Sequence, residues 1–204
     1  MRLLITGSNG QLGQEFNRIK SSSKHEFLFT DFNQLNICSV DSINLYMSDL
    51  NIDYIINCAA YTDVRKAEIE REKAFDVNSN GVKNLTNFCE KNNVKLIHFT
   101  TDYVYNSFSR KPINEDEFVD PQNYYGFSKR EGEKHIEESK SAEIIDKTFA
   151  QQINNNMLEA LGRASSKIND KQKVNQPSKL ITDALHKLEN LVNEDKLADN
   201  IVEI

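Results

Sequence analysis

Short apolar runs alternate with helix-length segments over the first 145 residues, and this alternation restricts the fold more than any other feature of the chain. Four runs have the length of a buried strand, at residues 2–6, 26–30, 54–58 and 95–99. Near-continuous apolar strands are typical of a parallel sheet that is covered on both faces. The segments at 11–20, 40–50 and 67–92 are long enough for helices, the last with a break near residues 78–81. The alternation predicts right-handed βαβ units in a doubly wound α/β fold.

Composition restricts the partners of the protein. The 204 residues, 38% of them hydrophobic, suffice for one sizeable domain or for one domain with a small lobe. A formal charge of -6 argues against a nucleic-acid-binding surface, which needs clustered Lys and Arg. With no bilayer-length apolar run and no signal-peptide pattern after Met1, we expect a cytoplasmic protein without a membrane partner. The three cysteines lack metal-ligand spacing, so we expect buried thiols and no metal site.

The segment TGSNGQLG, residues 6–13, joins the first predicted strand to the first predicted helix. Its residues Gly7, Gly10 and Gly13 permit a tight turn, a close approach of a pyrophosphate and close packing of the helix. The helix N-terminus supplies amide donors for the phosphates. Glycines that only make a tight turn are the alternative, but the position between strand and helix favours a dinucleotide site.

An acidic residue, Asp31, ends the sequence run of the second predicted strand. A carboxylate there accepts hydrogen bonds from an adenosine ribose and repels a 2′-phosphate, so it mildly favours NADH over NADPH. The alternative is a solvated loop aspartate or a helix cap. Lys24 or Arg18 could still reach a phosphate, so the choice between NADH and NADPH stays open.

Two hydroxyl residues, Thr100 and Thr101, follow the fourth predicted strand. In an α/β sheet, ligands bind outside the carboxyl ends of the strands, so a hydroxyl there could hydrogen-bond a substrate carbonyl. A β-branched residue is also an ordinary end for a strand. Position alone does not distinguish these two interpretations.

The segment DPQNYYGFSKREGE, residues 120–133, predicts a further helix, with Asp120 as its N-cap and Pro121 in its first turn. Tyr125 and Lys129 would lie one turn apart on the same face. A solvated pair on an exposed face is the alternative. Beside a dinucleotide turn, the pair could protonate a carbonyl that receives a hydride, with the lysine lowering the pKa of the phenol in the reacting complex.

Six motifs together resemble one family. TGSNGQLG, INCAAYTDVRKAE, the pair Val77 and Asn78, TTDYVY, NEDEFVDP and YGFSKREGE look like those of the dTDP-4-dehydrorhamnose reductases, in the same order and with similar spacing. These enzymes are extended short-chain dehydrogenases/reductases. The resemblance implies a Rossmann-type domain, an NADH or NADPH cofactor, and reduction of the C4 keto group of a nucleotide-linked 6-deoxysugar for dTDP-rhamnose and polysaccharide biosynthesis.

Matching of these motifs also implies the site residues. The catalytic hydroxyl falls on Thr101, the catalytic phenol on Tyr125 and the lysine on Lys129. Tyr125 and Lys129 are expected to contact the cofactor too, together with Gly7, Asn9, Gly10, Gln11, Leu12, Gly13, Asp31, Phe32, Ala59, Ala60, Tyr61 and Thr100.

The resemblance weakens after residue 145, which suggests a division of the chain. Residues 1–145 are expected to form the NAD(P)-binding domain with the catalytic helix, and 146–204 a reduced, mainly helical substrate lobe. Asp146 and Lys147 replace the start of an arginine-containing family segment, and Arg65, Asn106 and Ser107 also depart from the family pattern.

A reduced lobe would offer fewer contacts to a sugar nucleotide, so we expect cofactor binding to survive better than sugar turnover. A homodimer partner or another subunit could complete the substrate site. Two other functions stay open, namely a catalytically weak cofactor-binding or regulatory subunit, and a related sugar-nucleotide epimerase or ketoreductase.

Overall fold

Five parallel strands form a sheet with the order β2-β1-β3-β4-β5 in the computed structural model of the chain. The structure describes residues 1–106, 117–139 and 142–144, all within the unit Met1–Ala150. The strands are β1 (Arg2–Thr6), β2 (Glu26–Phe29), β3 (Tyr54–Asn57), β4 (Lys95–His98) and β5 (Ala142–Ile144). The helices are α1 (Gln11–Ile19), α2 (Val40–Met47), α3 (Val64–Ala67), α4 (Arg71–Phe75), α5 (Gly81–Asn92) and α6 (Tyr124–Glu137).

The order of the strands puts helices on both faces of the sheet. The chain passes from β1 to β2 in one direction and then builds β3, β4 and β5 on the other side of β1. With right-handed crossovers, this reversal places α1 on one face and the later helices on the other, where α2 packs on α5 and α5 on α6. The predicted Rossmann-type, doubly wound α/β fold is confirmed, and its reversal point lies between β1 and β3, where such sheets bind ligands.

The main core lies between the sheet and the helices α2 and α5. On the sheet side, this core consists of three residues that are register partners on neighbouring strands, Leu4, Ile55 and Leu96. Register partners on parallel strands point to the same face. The helices cover them with apolar side chains that are almost fully buried, including Ile43, Met47, Leu85, Phe88 and Cys89. This packing holds together the strands whose carboxyl ends carry the site.

The long helix predicted over residues 67–92 consists of several pieces. It begins earlier, with α3, and after α4 it passes through a π-helical turn, Asp76–Asn80, into α5. The predicted break near residues 78–81 overlaps this turn, which buries Asn78. Single π-helical turns inside α-helices are frequent at functional sites.

The predicted N-cap of α6 is wrong. Asn123, not Asp120, caps α6: its backbone is extended and its side-chain oxygen accepts the N–H of Gly126 at 2.8 Å. The carboxylate of Asp120 instead accepts a hydrogen bond from Asn106 at 3.0 Å, and its backbone N–H donates to the Val104 carbonyl. Asp120 therefore ties down the loop before the helix, one turn ahead of the true cap.

The structure bears out some of the other expectations and not others. Cys89 is buried as predicted, whereas Cys38 and Cys58 are only partly buried. Strand β5 was not singled out by its sequence pattern. The substrate lobe predicted at 146–204 lies outside the described residues. Within the described residues, no helix is long and apolar enough to cross a membrane, and no group of acidic, His or Cys side chains could hold a metal ion.

Candidate active site

The turn between β1 and α1 depends on its glycines. Gly7 has a φ of +62°, and a Cβ there would lie 2.7 Å from the backbone N of Ala59. A Cβ at Gly13 would lie 2.5 Å from the Cα of Ser8, so this glycine lets α1 pack against the turn. Gly10 is the N-cap of α1 and offers no side-chain cap, so backbone amides dominate the start of the helix. The turn has the form of a phosphate cradle.

Asp31 lies beside this turn, directly after Thr30, whose backbone N–H pairs with β1. Its carboxylate accepts a hydrogen bond from the side chain of Asn9 at 2.9 Å and from the backbone N–H of Asn33 at 2.9 Å. Phe32 follows it and is 69% exposed. The structure thus joins the predicted residues Asn9 and Asp31, while Gln11 is exposed and Leu12 is half-buried in the first turn of α1.

The loop after β3 carries three predicted cofactor contacts, Ala59, Ala60 and Tyr61, all half-buried. Asn78 fixes this loop from the π-helical turn. Its side chain accepts the N–H of Tyr61 at 2.9 Å and donates to the Tyr61 carbonyl and to the hydroxyl of Ser128 on α6, both at 3.0 Å. Asn78 therefore links the loop next to the glycine turn with α6.

Thr101 follows the carboxyl end of β4, where its hydroxyl donates to the Asp102 carboxylate at 3.2 Å and accepts the N–H of Tyr103 at 3.3 Å. It also lies near enough to Tyr125 to act on the pKa of the phenol. Tyr125 packs its ring edge-on against Tyr103, with centroids 5.6 Å apart. Burial raises the pKa of Tyr125, and the charge of Asp102 adds to this rise against the opposing effect of Thr101. The lowered phenol pKa expected in the reacting complex is not a property of the free protein.

Lys129 is almost fully buried and points toward the end of β4. Its Nζ donates to the carbonyl of Phe99 at 2.6 Å and lies 3.1 Å from Nε2 of His98. Burial lowers the pKa of Lys129 to about 8, although the carboxylate of Glu133 opposes the shift. The amino group of Lys129 is thus hydrogen-bonded to the sheet end.

Four buried polar side chains lie in a line across the ends of three strands and α6. We call them the polar row: Thr6, Asn57, His98 and Lys129. Thr6 donates to Oδ1 of Asn57 at 2.6 Å, and Nδ2 of Asn57 lies 3.0 Å from Nδ1 of His98. The strand residues are register partners, so they point to the same face of the sheet. All four are 1–2% exposed.

Thr100, a predicted cofactor contact, has a different partner. Its hydroxyl donates to the carboxylate of Glu133 on α6, which is fully buried and also paired with Arg130 at 2.9 Å. Arg130 in turn pairs with Glu137. Thr100 therefore fastens α6 to the end of β4, while the hydroxyl of the neighbouring Thr101 donates to Asp102.

Sequence reasoning missed the three strand members of the polar row and Glu133 as parts of the site. The signal was present: Thr6, Asn57 and His98 are each the polar last residue of an apolar strand. Polar groups that are buried in neighbouring strands must pair with one another, so their alignment was open to prediction once the strand order was known.

Comparisons with known proteins show which family the chain resembles. The family model described as the RmlD substrate binding domain matches residues 1–176. The chain belongs to this family. A dTDP-4-dehydrorhamnose reductase of Aggregatibacter actinomycetemcomitans is 37% identical over 134 residues, 65% of this chain and 46% of the relative. One from Mycolicibacterium smegmatis is 35% identical over 148 residues, 72% of this chain and 45% of the relative.

Solved structures show the same relationship. The dTDP-4-dehydrorhamnose reductase of Bacillus anthracis, in complex with NADP, has a TM-score of 0.67 and 31% identity, and the match covers 70% of this chain and 51% of that one. The resemblance found in the sequence motifs is confirmed. The chain spans about half the length of the curated relatives it matches.

Proposed function

We propose that the chain is an NAD(P)H-dependent oxidoreductase that reduces a nucleotide-linked 4-keto-6-deoxysugar, as in dTDP-rhamnose biosynthesis. The observation that carries the proposal is the position of Tyr125 and Lys129, one turn apart on α6, at the carboxyl end of β4. Lys129 donates there to the Phe99 carbonyl, and Thr101 acts on the pKa of Tyr125. The similar relatives named dTDP-4-dehydrorhamnose reductase support the sugar class.

The glycine turn fits a dinucleotide. Side chains at Gly7 or Gly13 would strike the backbone of the turn or of the loop after β3, so the cradle exists only with glycine. Gly7, Gly10 and Gly13 would receive the pyrophosphate at the start of α1, with Asn9, Gln11 and Leu12 around it. The adenosine end of the dinucleotide would lie beside Asp31 and Phe32. Between there and the nicotinamide end, the dinucleotide would pass Ala59, Ala60, Tyr61 and Thr100.

The reaction adds a hydride to the carbonyl carbon and a proton to its oxygen. A bound reduced nicotinamide supplies the hydride. Tyr125 donates the proton as negative charge develops on the oxygen, and Thr101 donates a hydrogen bond that orients the carbonyl. Lys129 would hold the nicotinamide ribose. Because burial raises its pKa, Tyr125 stays protonated at neutral pH, which suits the reductive direction.

Asp31 supports a mild preference for NADH. Its carboxylate would accept hydrogen bonds from the ribose and repel a 2′-phosphate. Its bonds to Asn9 and to the backbone of the next loop hold the charge in place. The Bacillus anthracis relative in complex with NADP indicates that NADPH is also a reasonable cofactor for this fold.

Oxidation of NADH and NADPH over a panel of nucleotide-linked 4-keto sugars tests the proposal. We expect turnover with dTDP-4-dehydrorhamnose or a related sugar. Calorimetric binding of either cofactor without turnover of any sugar would instead support a noncatalytic cofactor-binding or regulatory subunit. Interconversion of sugars without net cofactor oxidation would support an epimerase. No binding of either cofactor would contradict all three functions.

The substrate site is proposed to need more than the described residues supply. The predicted substrate lobe at 146–204, a homodimer partner or another subunit would cover the sugar. Turnover that rises more steeply than in proportion to protein concentration would support a second subunit, whereas a strict monomer with tight saturation would contradict it. A cytoplasmic location is part of the same proposal.

A further inference from the structure

The contact between His98 and Lys129 is unfavourable between an Nε2–H group and an ammonium, because both are donors, and favourable if Nε2 carries no proton or if the lysine is a neutral amine. Nζ of Lys129 lies 3.1 Å from Nε2 of His98, and both side chains are buried. Burial and the neighbouring Lys129 charge keep the pKa of His98 well below its usual value, so its ring is neutral and carries one proton. The ring nitrogen that carries this proton determines whether Lys129 faces a hydrogen-bond donor or an acceptor.

Asn57 selects the tautomer of His98. Its Oδ1 accepts from the hydroxyl of Thr6 at 2.6 Å and from the N–H of Ala59 at 3.2 Å, which leaves Nδ2 to face the ring. Since Nδ2 can only donate, Nδ1 of His98 must accept, and the ring proton lies on Nε2. Rotation of the amide would set its Nδ2 against the N–H of Ala59.

An Nε2–H donor pairs well with a lysine amine and poorly with an ammonium. The amine accepts from His98 through its lone pair and still donates to the Phe99 carbonyl at 2.6 Å. The ammonium has no lone pair. We propose that His98, in the tautomer that Asn57 selects, is a positioning residue that holds Lys129 at the sheet edge and favours its neutral amine form.

Other charges around Lys129 do not remove this effect. Glu133, one turn along α6, favours the ammonium, but its carboxylate is shared between Thr100 and Arg130. From β4 the group that faces Nζ is His98 itself, with the Phe99 carbonyl, and from β3 Asn57 faces His98. When Lys129 deprotonates, its proton goes to solvent, and no other group in the polar row changes its charge.

The inference deepens the proposed function, because it gives Lys129 a proton to take up when the site fills. On leaving His98 for ribose hydroxyls, Lys129 would lose the Nε2–H donor and become an ammonium again. Cofactor binding at pH 9 should therefore take up protons from the buffer. Calorimetry in two buffers of different ionisation enthalpy measures this uptake, and clear binding without uptake would overturn this step.

The free protein provides the main test. Carbon-13 NMR of labelled lysine side chains should show Lys129 titrating near pH 8, and nitrogen-15 shifts should show His98 in the Nε2–H tautomer at pH 9. His98→Gln replaces one neutral group by another that can turn its oxygen to Lys129. We expect the Lys129 titration to move up by about one pH unit or more, because an acceptor stabilises the ammonium.

His135→Gln is the matched control, since His135 lies on the same helix as Lys129 but contacts Ser79, and it should leave the Lys129 titration in place. A parent Lys129 that titrates as an ordinary lysine, an Nδ1–H tautomer, or no shift in His98→Gln would each overturn the inference. If the variant does not fold, the two parent measurements decide. These readouts need no cofactor, so they stand even if the proposed reductase activity fails.

Discussion

The glycine turn after β1 and the polar row lie at the same edge of the sheet but depend on different parts of the chain. The turn is a backbone structure: Gly7 has a positive φ, and Gly13 leaves no room for a Cβ. The polar row is a side-chain structure whose members come from three strands and α6 and are joined by hydrogen bonds. Local sequence specifies the first, whereas only the assembled sheet specifies the second.

This difference separates binding from chemistry. A backbone cradle holds phosphates through amide groups, which no side-chain substitution removes unless it distorts the turn. The proposed chemistry at the sheet edge relies on single functional groups, so one substitution there is expected to abolish turnover and leave the fold intact. Mutations in the two regions should therefore affect different measured quantities.

The largest effect is expected at the catalytic edge. Tyr125→Phe should lower kcat by about 10²- to 10⁴-fold, because it removes the proton donor and keeps the ring. Cofactor affinity should change little. Steady-state kinetics and calorimetry measure the two quantities, and Tyr124→Phe, at the first position of α6, is the matched control. Full activity of Tyr125→Phe would contradict the role given to the phenol.

Substitutions in the glycine turn should mainly lower the stability of the protein. Gly7→Ala should lower the free energy of unfolding by about 3 kcal/mol, since a non-glycine residue at positive φ costs roughly 1–2 kcal/mol and overpacking against Ala59 adds roughly 1–3. Urea unfolding measures the loss. Gly10→Ala is the control, because its φ is negative and its Cβ would lie 3.2 Å from the Gly7 carbonyl oxygen. Equal losses in both variants would mean that the positive φ of Gly7 contributes little to the loss of stability.

The same contrast explains what the sequence could predict. The strands and the glycine turn were predicted because apolar runs and glycine spacing are local patterns. The cap at Asn123 was missed because Asp120 has equally good capping chemistry, and only the packing of the loop against Val104 and Asn106 decides between them. His98 was missed because its role depends on Asn57 and Lys129, which are 41 and 31 residues away.

A smaller effect concerns the pH dependence of stability. His98 has a lowered pKa in the folded protein, so below pH ~6.5 the unfolded chain binds more protons and stability falls as pH falls. The slope from this one group can reach about 1.4 kcal/mol per pH unit. His98→Gln should flatten the decline between pH ~6.5 and 5. Urea unfolding at several pH values measures it, and a slope equal to that of the parent would contradict a neutral, buried His98.

The smallest effect is expected for the preference between NADH and NADPH. This preference depends on a side chain, Asp31, that lies beside the backbone cradle of the glycine turn. Asp31→Asn keeps the size of the side chain and removes its charge. The repulsion of a 2′-phosphate by a partly exposed carboxylate is worth about 1 kcal/mol, so affinity for NADPH should rise about fivefold relative to NADH.

Calorimetric titration of both cofactors measures this ratio, and Asp63→Asn serves as the control because Asp63 caps α3 and bonds the N–H of Lys66. The result also reports on Asn9, which donates to the Asp31 carboxylate at 2.9 Å and could turn toward the 2′ position once the charge is gone. A ratio that stays unchanged in Asp31→Asn would show that the carboxylate does not face the ribose, and that the backbone of the turn alone determines how this protein binds its cofactor.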